Sequence, residues 1–145
     1  MKSLFKKICI GSDHAGFQLK EFVKDFLIKE KISITDLGPF TNNSVDYPDY
    51  AKKVSKRVQS KKSDVGILIC GSGTGMAITA NKTKGIRAAV CYNPKLTRLS
   101  REHNNANIIA LGSRFIKKKD ALKMVSIFLK TKFEGGRHQR RVKKI

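Results

Sequence analysis

The chain has 145 residues, 40% of them hydrophobic and 8% aromatic, enough for one domain with a core. No apolar run approaches the roughly 18 residues of a membrane span, and the apolar stretch near the N-terminus stops at Gly11, too short for a signal peptide. Thirty-one basic residues against eleven acidic ones give a net charge of +20, but the lysines scatter through every segment without aromatic interleaving, which argues against a specific nucleic-acid binder and for a solvated surface that steers anions.

Strand and helix signals alternate from the start. Residues 7–11 read as a strand, followed by a helix over roughly 16–30 whose Phe22, Val23, Phe26 and Leu27 form an apolar face. Residues 32–37 read as a second strand, 39–48 as a polar loop and 49–60 as a polar-faced helix. Residues 64–70 form a third strand, with a helix over 76–81 after it. Residues 86–92 are a fourth strand, 94–103 a helix and 107–111 a fifth strand. Residues 118–130 are a last helix with Ala121, Leu122, Val125 and Leu129 facing inward, and 133–145 a basic tail. Such alternation predicts a single-domain α/β fold over 1–145: a Rossmann-like three-layer sandwich, five parallel strands with helices on both faces. Ligands of such folds bind at the carboxyl ends of the strands.

The most informative segment is ILICGSGTGMAI at 67–78. Ile67, Leu68 and Ile69 end in Cys70, and Gly71, Gly73 and Gly75 bend the backbone into a helix. A strand–glycine turn–helix unit aims backbone N–H groups at one point that favours an anion, and a thiol beside it is expected to carry more thiolate character. The turn lacks a P-loop's Lys-Ser/Thr ending and the dinucleotide spacing GxGxxG. By itself it fits a structural cysteine at a tight connection better. Cys9, Cys70 and Cys91 show no metal-ligand spacing, and their odd number suits a reduced, cytoplasmic compartment.

Other candidates follow the strands. Asp13 suits an N-cap as well as a ligand contact, and His14 an exposed first turn. Asn104 suits a helix C-terminus, and Arg114 follows the fifth strand in Gly112-Ser113-Arg114. In the tail, Gly135-Gly136 precede Arg137, His138, Arg140 and Arg141. That run suits either a disordered basic end or a hinged arm delivering guanidinium groups to a phosphate.

Taken together, GSDHAG at 11–16, DYP at 46–48, ILICGSGTGM at 67–76, ANK at 80–82, GIRAAV at 85–90, HN at 103–104, GSR at 112–114 and EGGRHQRRV at 134–142 resemble the type B ribose-5-phosphate isomerases, within the wider family of galactose- and allose-6-phosphate isomerases. The resemblance implies interconversion of ribose 5-phosphate and ribulose 5-phosphate, in the non-oxidative pentose phosphate pathway, through a cis-enediolate and without metal or organic cofactor. It makes Cys70 the base and His103 the residue that opens the furanose ring. The N–H groups of Gly71, Ser72, Gly73, Thr74 and Gly75 would face the enediolate oxygen, with the Ser72 hydroxyl moving a proton between O1 and O2. Asp13, Asn104 and Tyr47 would contact the sugar. His14, Arg114, Arg137 and Arg141 would bind phosphate. Arg137, His138 and Arg141 would serve a neighbouring subunit through the arm at 133–145, in a homodimer or homotetramer. One family branch uses a glutamate base after the glycine loop; with Met76 at that place and Cys70 before the loop, this chain resembles the cysteine branch. Within the resemblance, a six-carbon sugar phosphate is the alternative substrate.

Overall fold

Three strands with every residue buried form the centre of the molecule: β1 (Ile8–Ser12), β3 (Val65–Cys70) and β5 (Ile108–Gly112). The computed structural model describes residues 1–145. With the edge strands β2 (Ile34–Asp36) and β4 (Ala88–Val90) they make one parallel sheet in the order β2-β1-β3-β5-β4. The chain runs outward from β1 to β2, then crosses back over β1 to β3. The order therefore reverses beside β1 and β3, and the expected Rossmann-like α/β architecture is present.

Side chains alternate across the central strands. On one face Ile8, Ile10, Ile67, Ile69, Ile109 and Leu111 pack under α1 (Phe17–Lys29) and α5 (Lys118–Lys130). On the other, Cys9, Leu68, Cys70, Ile108 and Ala110 pack under α2 (Tyr47–Gln59) and α3 (Thr74–Ala80). Both faces are covered, so both must be apolar, and the strands read as continuous hydrophobic runs. The fourth helix, α4 (Pro94–Glu102), packs beside α5. No helix is long and apolar enough to cross a membrane.

Several boundaries differ from expectation for local reasons. α2 starts at Tyr47, because Pro48 needs no N–H partner in a first turn. α3 starts at Thr74, directly after Gly73 in the left-handed region. β4 is short because the Arg87 N–H is taken by the Asn107 side chain instead of a ladder partner. The tail forms a sixth helix, α6 (Arg137–Val142), where the sequence offers little apolar patterning.

The α1 face is the main correction. Phe22 is exposed and Phe26 only partly covered, while Leu19, Lys20, Val23 and Leu27 are buried. The Lys20 side chain is wholly enclosed, its ammonium bonded to both Asp36 oxygens at 2.9 and 2.7 Å and to Glu21 at 2.9 Å. Asp36 also accepts from Lys24 and the Gly38 N–H. Burial acts to raise the Asp36 pKa, but the bonds from Lys20, Gly38 and Lys24 outweigh it and hold it below its ordinary 3.8. A depressed folded pKa contributes stability above the unfolded pKa that is lost as pH falls through the folded one. Melting temperature is therefore expected to drop as pH is lowered below about 4. Asp36→Asn, which leaves the Lys20 charge enclosed without its main partner, is expected to cost about 3 kcal/mol at neutral pH and to flatten that acid-side drop. Thermal unfolding of both proteins across pH checks this.

Candidate active site

Cys70 is the last residue of β3, beside the point where the strand order reverses. Its thiol is nearly enclosed and its Sγ accepts a hydrogen bond from the Gly73 N–H at 3.1 Å. The turn that makes this bond requires φ +80° at Gly73, where a Cβ would also press to 3.1 Å on the Leu111 carbonyl carbon. The Thr74 N–H bonds back to the Ser72 hydroxyl at 3.3 Å. In this way the end of the strand and the turn after it bring one backbone donor, the Gly73 N–H, onto the sulfur.

A cleft of about 460 Å³ opens over the turn, walled by Asp13, Tyr47, Ser72, Arg114 and Phe115 with Cys70 at its base. β5 positions Arg114, because the Ser113 and Arg114 N–H groups bond to the carbonyls of Cys70 and Gly71 at 2.9 and 3.1 Å. The guanidinium then lies against Gly71, with Nη1 only 2.9 Å from where a Cβ would stand. Tyr47, at the start of α2, lays its ring over Gly75.

Asp13 follows β1 and binds the Gly16 N–H through Oδ1 at 2.9 Å, tying down the entry to α1. Its other oxygen makes no hydrogen bond within the chain. His14 is exposed and accepts the Val45 N–H on Nδ1 at 3.2 Å. That acceptance places the ring proton of neutral His14 on Nε2, which is free to donate outward. Phe115, 68% exposed in the cleft wall, was not singled out from the sequence; an apolar residue directly after the strand-end Gly-Ser-Arg was the available signal.

The remaining candidates lie elsewhere. α4 runs back against the strand direction, so His103, which caps its C-terminus, sits at the amino edge of the sheet. Asn104 is there too, its carbonyl accepting from Arg87 Nε at 3.2 Å. So is α6, which follows α5 down to the same edge and carries Arg137 and Arg141 on its exposed surface. Four residue steps of β5, about 13 Å, separate the two edges. His103 and Asn104 therefore do not meet Cys70 within one chain. The candidates form two groups, one at each end of the sheet.

The amino-edge group is held together by the His103 and His138 rings, stacked 4.2 Å apart and 14° from parallel. His138 is buried, its Nε2 3.5 Å from the Glu134 carboxylate, and the Glu134 backbone N–H donates to the Glu102 carbonyl at 3.1 Å. Burial, with help from the facing His103 and Arg137 charges, lowers the His138 pKa and favours a neutral ring. The ligand atoms of His103, Glu134 and His138 lie within 4.8 Å of one another. Two stacked imidazoles hold their in-plane lone pairs in parallel layers, however, so one ring would have to turn before both could ligate a metal.

The three thiols differ in setting. Cys9 is fully enclosed, and burial pushes it up to about 11; burial also raises Cys91. Cys70 alone borders a cleft. Iodoacetamide is expected to modify Cys70 first in the folded protein, as peptide mapping would show; first labelling of Cys9 or Cys91 would contradict this.

A parallel α/β sheet with a thiol, a glycine turn and an arginine at its switch point defines a domain suited to a small anionic ligand. The chain belongs to the Ribose/Galactose Isomerase family, whose model matches residues 8–145. It is 44% identical over 140 residues to ribose-5-phosphate isomerase B of Escherichia coli K12, covering 97% of this chain and 94% of that protein. The solved ribose-5-phosphate isomerase B of Clostridium thermocellum is 53% identical, with a TM-score of 0.94 over 95% of this chain and 93% of that one. That of Mycoplasma genitalium, solved with bound ribulose-5-phosphate, is 44% identical with a TM-score of 0.91, covering 95% and 92%.

Proposed function

We propose that this protein interconverts ribose 5-phosphate and ribulose 5-phosphate. The reading rests above all on Cys70, whose Sγ accepts the Gly73 N–H at 3.1 Å at the base of a cleft walled by Arg114. The family membership and the ribulose-5-phosphate bound by the Mycoplasma genitalium relative support the same choice.

In this mechanism the Cys70 thiolate takes the proton from C2 of the open-chain aldose. The electron pair moves into a C1–C2 double bond, and negative charge develops on O1. Backbone N–H groups of the 71–75 turn other than Gly73, whose N–H is held by the Cys70 sulfur, stabilise that oxygen in the role of an oxyanion hole. The Cys70 thiol then returns the proton to C1, while the proton on O2 passes to O1 through the Ser72 hydroxyl. The product carries a C2 ketone and a C1 hydroxymethyl group. No cofactor or metal takes part.

Phosphate binding falls to His14 Nε2–H and Arg114 of one chain with Arg137 and Arg141 of a second. Ring opening falls to His103 of that second chain, with Asn104 on a sugar hydroxyl. The roughly 13 Å between the two edges of the sheet favours this division, because one chain alone does not bring His103 near its own Cys70. In a two-fold pair, each carboxyl edge would meet the partner's amino edge, giving two equal sites. The arm at 133–145 would enter with His103 as one unit, since the His103–His138 stack ties α6 to the end of α4.

Turnover of ribose 5-phosphate, allose 6-phosphate and galactose 6-phosphate in the presence of a chelator tests the proposal. Efficient conversion of the pentose phosphate is expected. Preference for a hexose phosphate would keep the chemistry and change the substrate, and no turnover of any sugar by the folded protein would overturn the reading.

A further inference from the structure

Tyr92 stands two residues beyond β4, the edge strand, and its hydroxyl reaches across the end of β5 to donate a hydrogen bond to the Ser72 carbonyl at 2.8 Å. That carbonyl belongs to the peptide whose N–H is Gly73's, the group bonded to the Cys70 sulfur at 3.1 Å. One planar peptide therefore links the phenol to the thiol. Its carbonyl is seated on Gly112 at the end of β5, where a Cβ would come within 2.7 Å of the Ser72 oxygen. A side chain at position 112 would push this peptide away from both partners.

We infer that Tyr92 is a positioning residue for the Cys70 base, acting through the Ser72–Gly73 peptide. This inference rests on the isomerase reading above. A hydrogen bond to a peptide oxygen draws electron density from its nitrogen and strengthens the N–H as a donor, so bonds in such a chain reinforce one another. The planarity of the peptide adds a geometric effect. Holding the carbonyl at Tyr92 and Gly112 fixes the direction of the N–H toward sulfur. The aromatic ring, 42% exposed, contributes little to the core, so removing the hydroxyl alone tests the link without disturbing the fold.

The experiment compares wild type, Tyr92→Phe and Cys70→Ala by steady-state kinetics on ribose 5-phosphate, together with the pH profile of Cys70 alkylation by iodoacetamide in the first two. For Tyr92→Phe, kcat is expected to fall about fivefold with KM nearly unchanged, the effect of losing one ordinary hydrogen bond from the chain that ends on the sulfur. Its alkylation profile is expected to move to higher pH, with melting temperature unchanged. A kcat and alkylation profile equal to wild type would overturn the role of Tyr92, as would a loss confined to KM or to melting temperature. Inactive wild type, or active Cys70→Ala, would instead overturn the isomerase reading itself, so the two failures are told apart.

Discussion

Replacing Cys70 with alanine is expected to lower ribose 5-phosphate turnover by about 1,000-fold or more while leaving the fold intact. A positioned general base contributes roughly 10²- to 10⁴-fold, and Cys70 stands at the base of the cleft. Asp13 also borders the cleft, but one of its oxygens is engaged by the Gly16 N–H at the entry to α1. The structural cost is small, because removing one buried sulfur leaves a cavity worth about 1 kcal/mol. Kinetics combined with thermal unfolding checks both parts. A folded Cys70→Ala protein with near-normal kcat would remove the thiol from the mechanism.

The second large effect is expected in mixed dimers. His103→Asn keeps a residue common at helix C-termini but cannot exchange a proton, and should slow turnover of cyclic substrate by about 100-fold. If each site combines Cys70 of one chain with His103 of the other, pairing a Cys70→Ala chain with a His103→Asn chain puts both defects in one site and leaves the other site whole. Purified heterodimers should recover about half of wild-type activity, from one intact site of two. Sites built within single chains would each keep one defect, and no recovery would follow. Such a result would return His103 to its own chain's site, against the separation created by β5.

What the sequence revealed depended on how local the determinant was. Residues 67–75 were legible because strand, turn and helix start are adjacent in the chain, and the glycines mark the turn without reference to distant residues. The five parallel strands followed from hydrophobic patterning, since both faces of the sheet are covered; on α5 Ala121, Val125 and Leu129 do face inward, but Leu122 is only partly buried while Met124 and Phe128 are enclosed. His103 was legible as a candidate through its motif, but the end of the sheet it reaches was not, because the end where a helix stops depends on the direction in which it returns. α6 gave no periodic apolar signal, as His138 is its one buried side chain and its cover is the His103 ring. The enclosure of Lys20 is not legible because nothing near it in sequence shows that Asp36, sixteen residues on, would pair with it. Tyr92 was missed for a similar reason, since its partner Ser72 is brought to it only by the order of β3, β5 and β4.

The central claim is that Cys70 carries the proton between C2 and C1 of a ribose 5-phosphate chain. Nuclear magnetic resonance of ribose 5-phosphate turned over in deuterated water tests it most directly, by following both ribulose 5-phosphate formation and deuterium entry at C1 and C2. Wild type is predicted to form the ketose, with deuterium reaching C1 and C2 to the extent that the Cys70 S–H exchanges with solvent between removal and return of the proton, and folded Cys70→Ala to show neither ketose nor exchange. Exchange at the wild-type rate in the folded Cys70→Ala protein would contradict the assignment and require a different base.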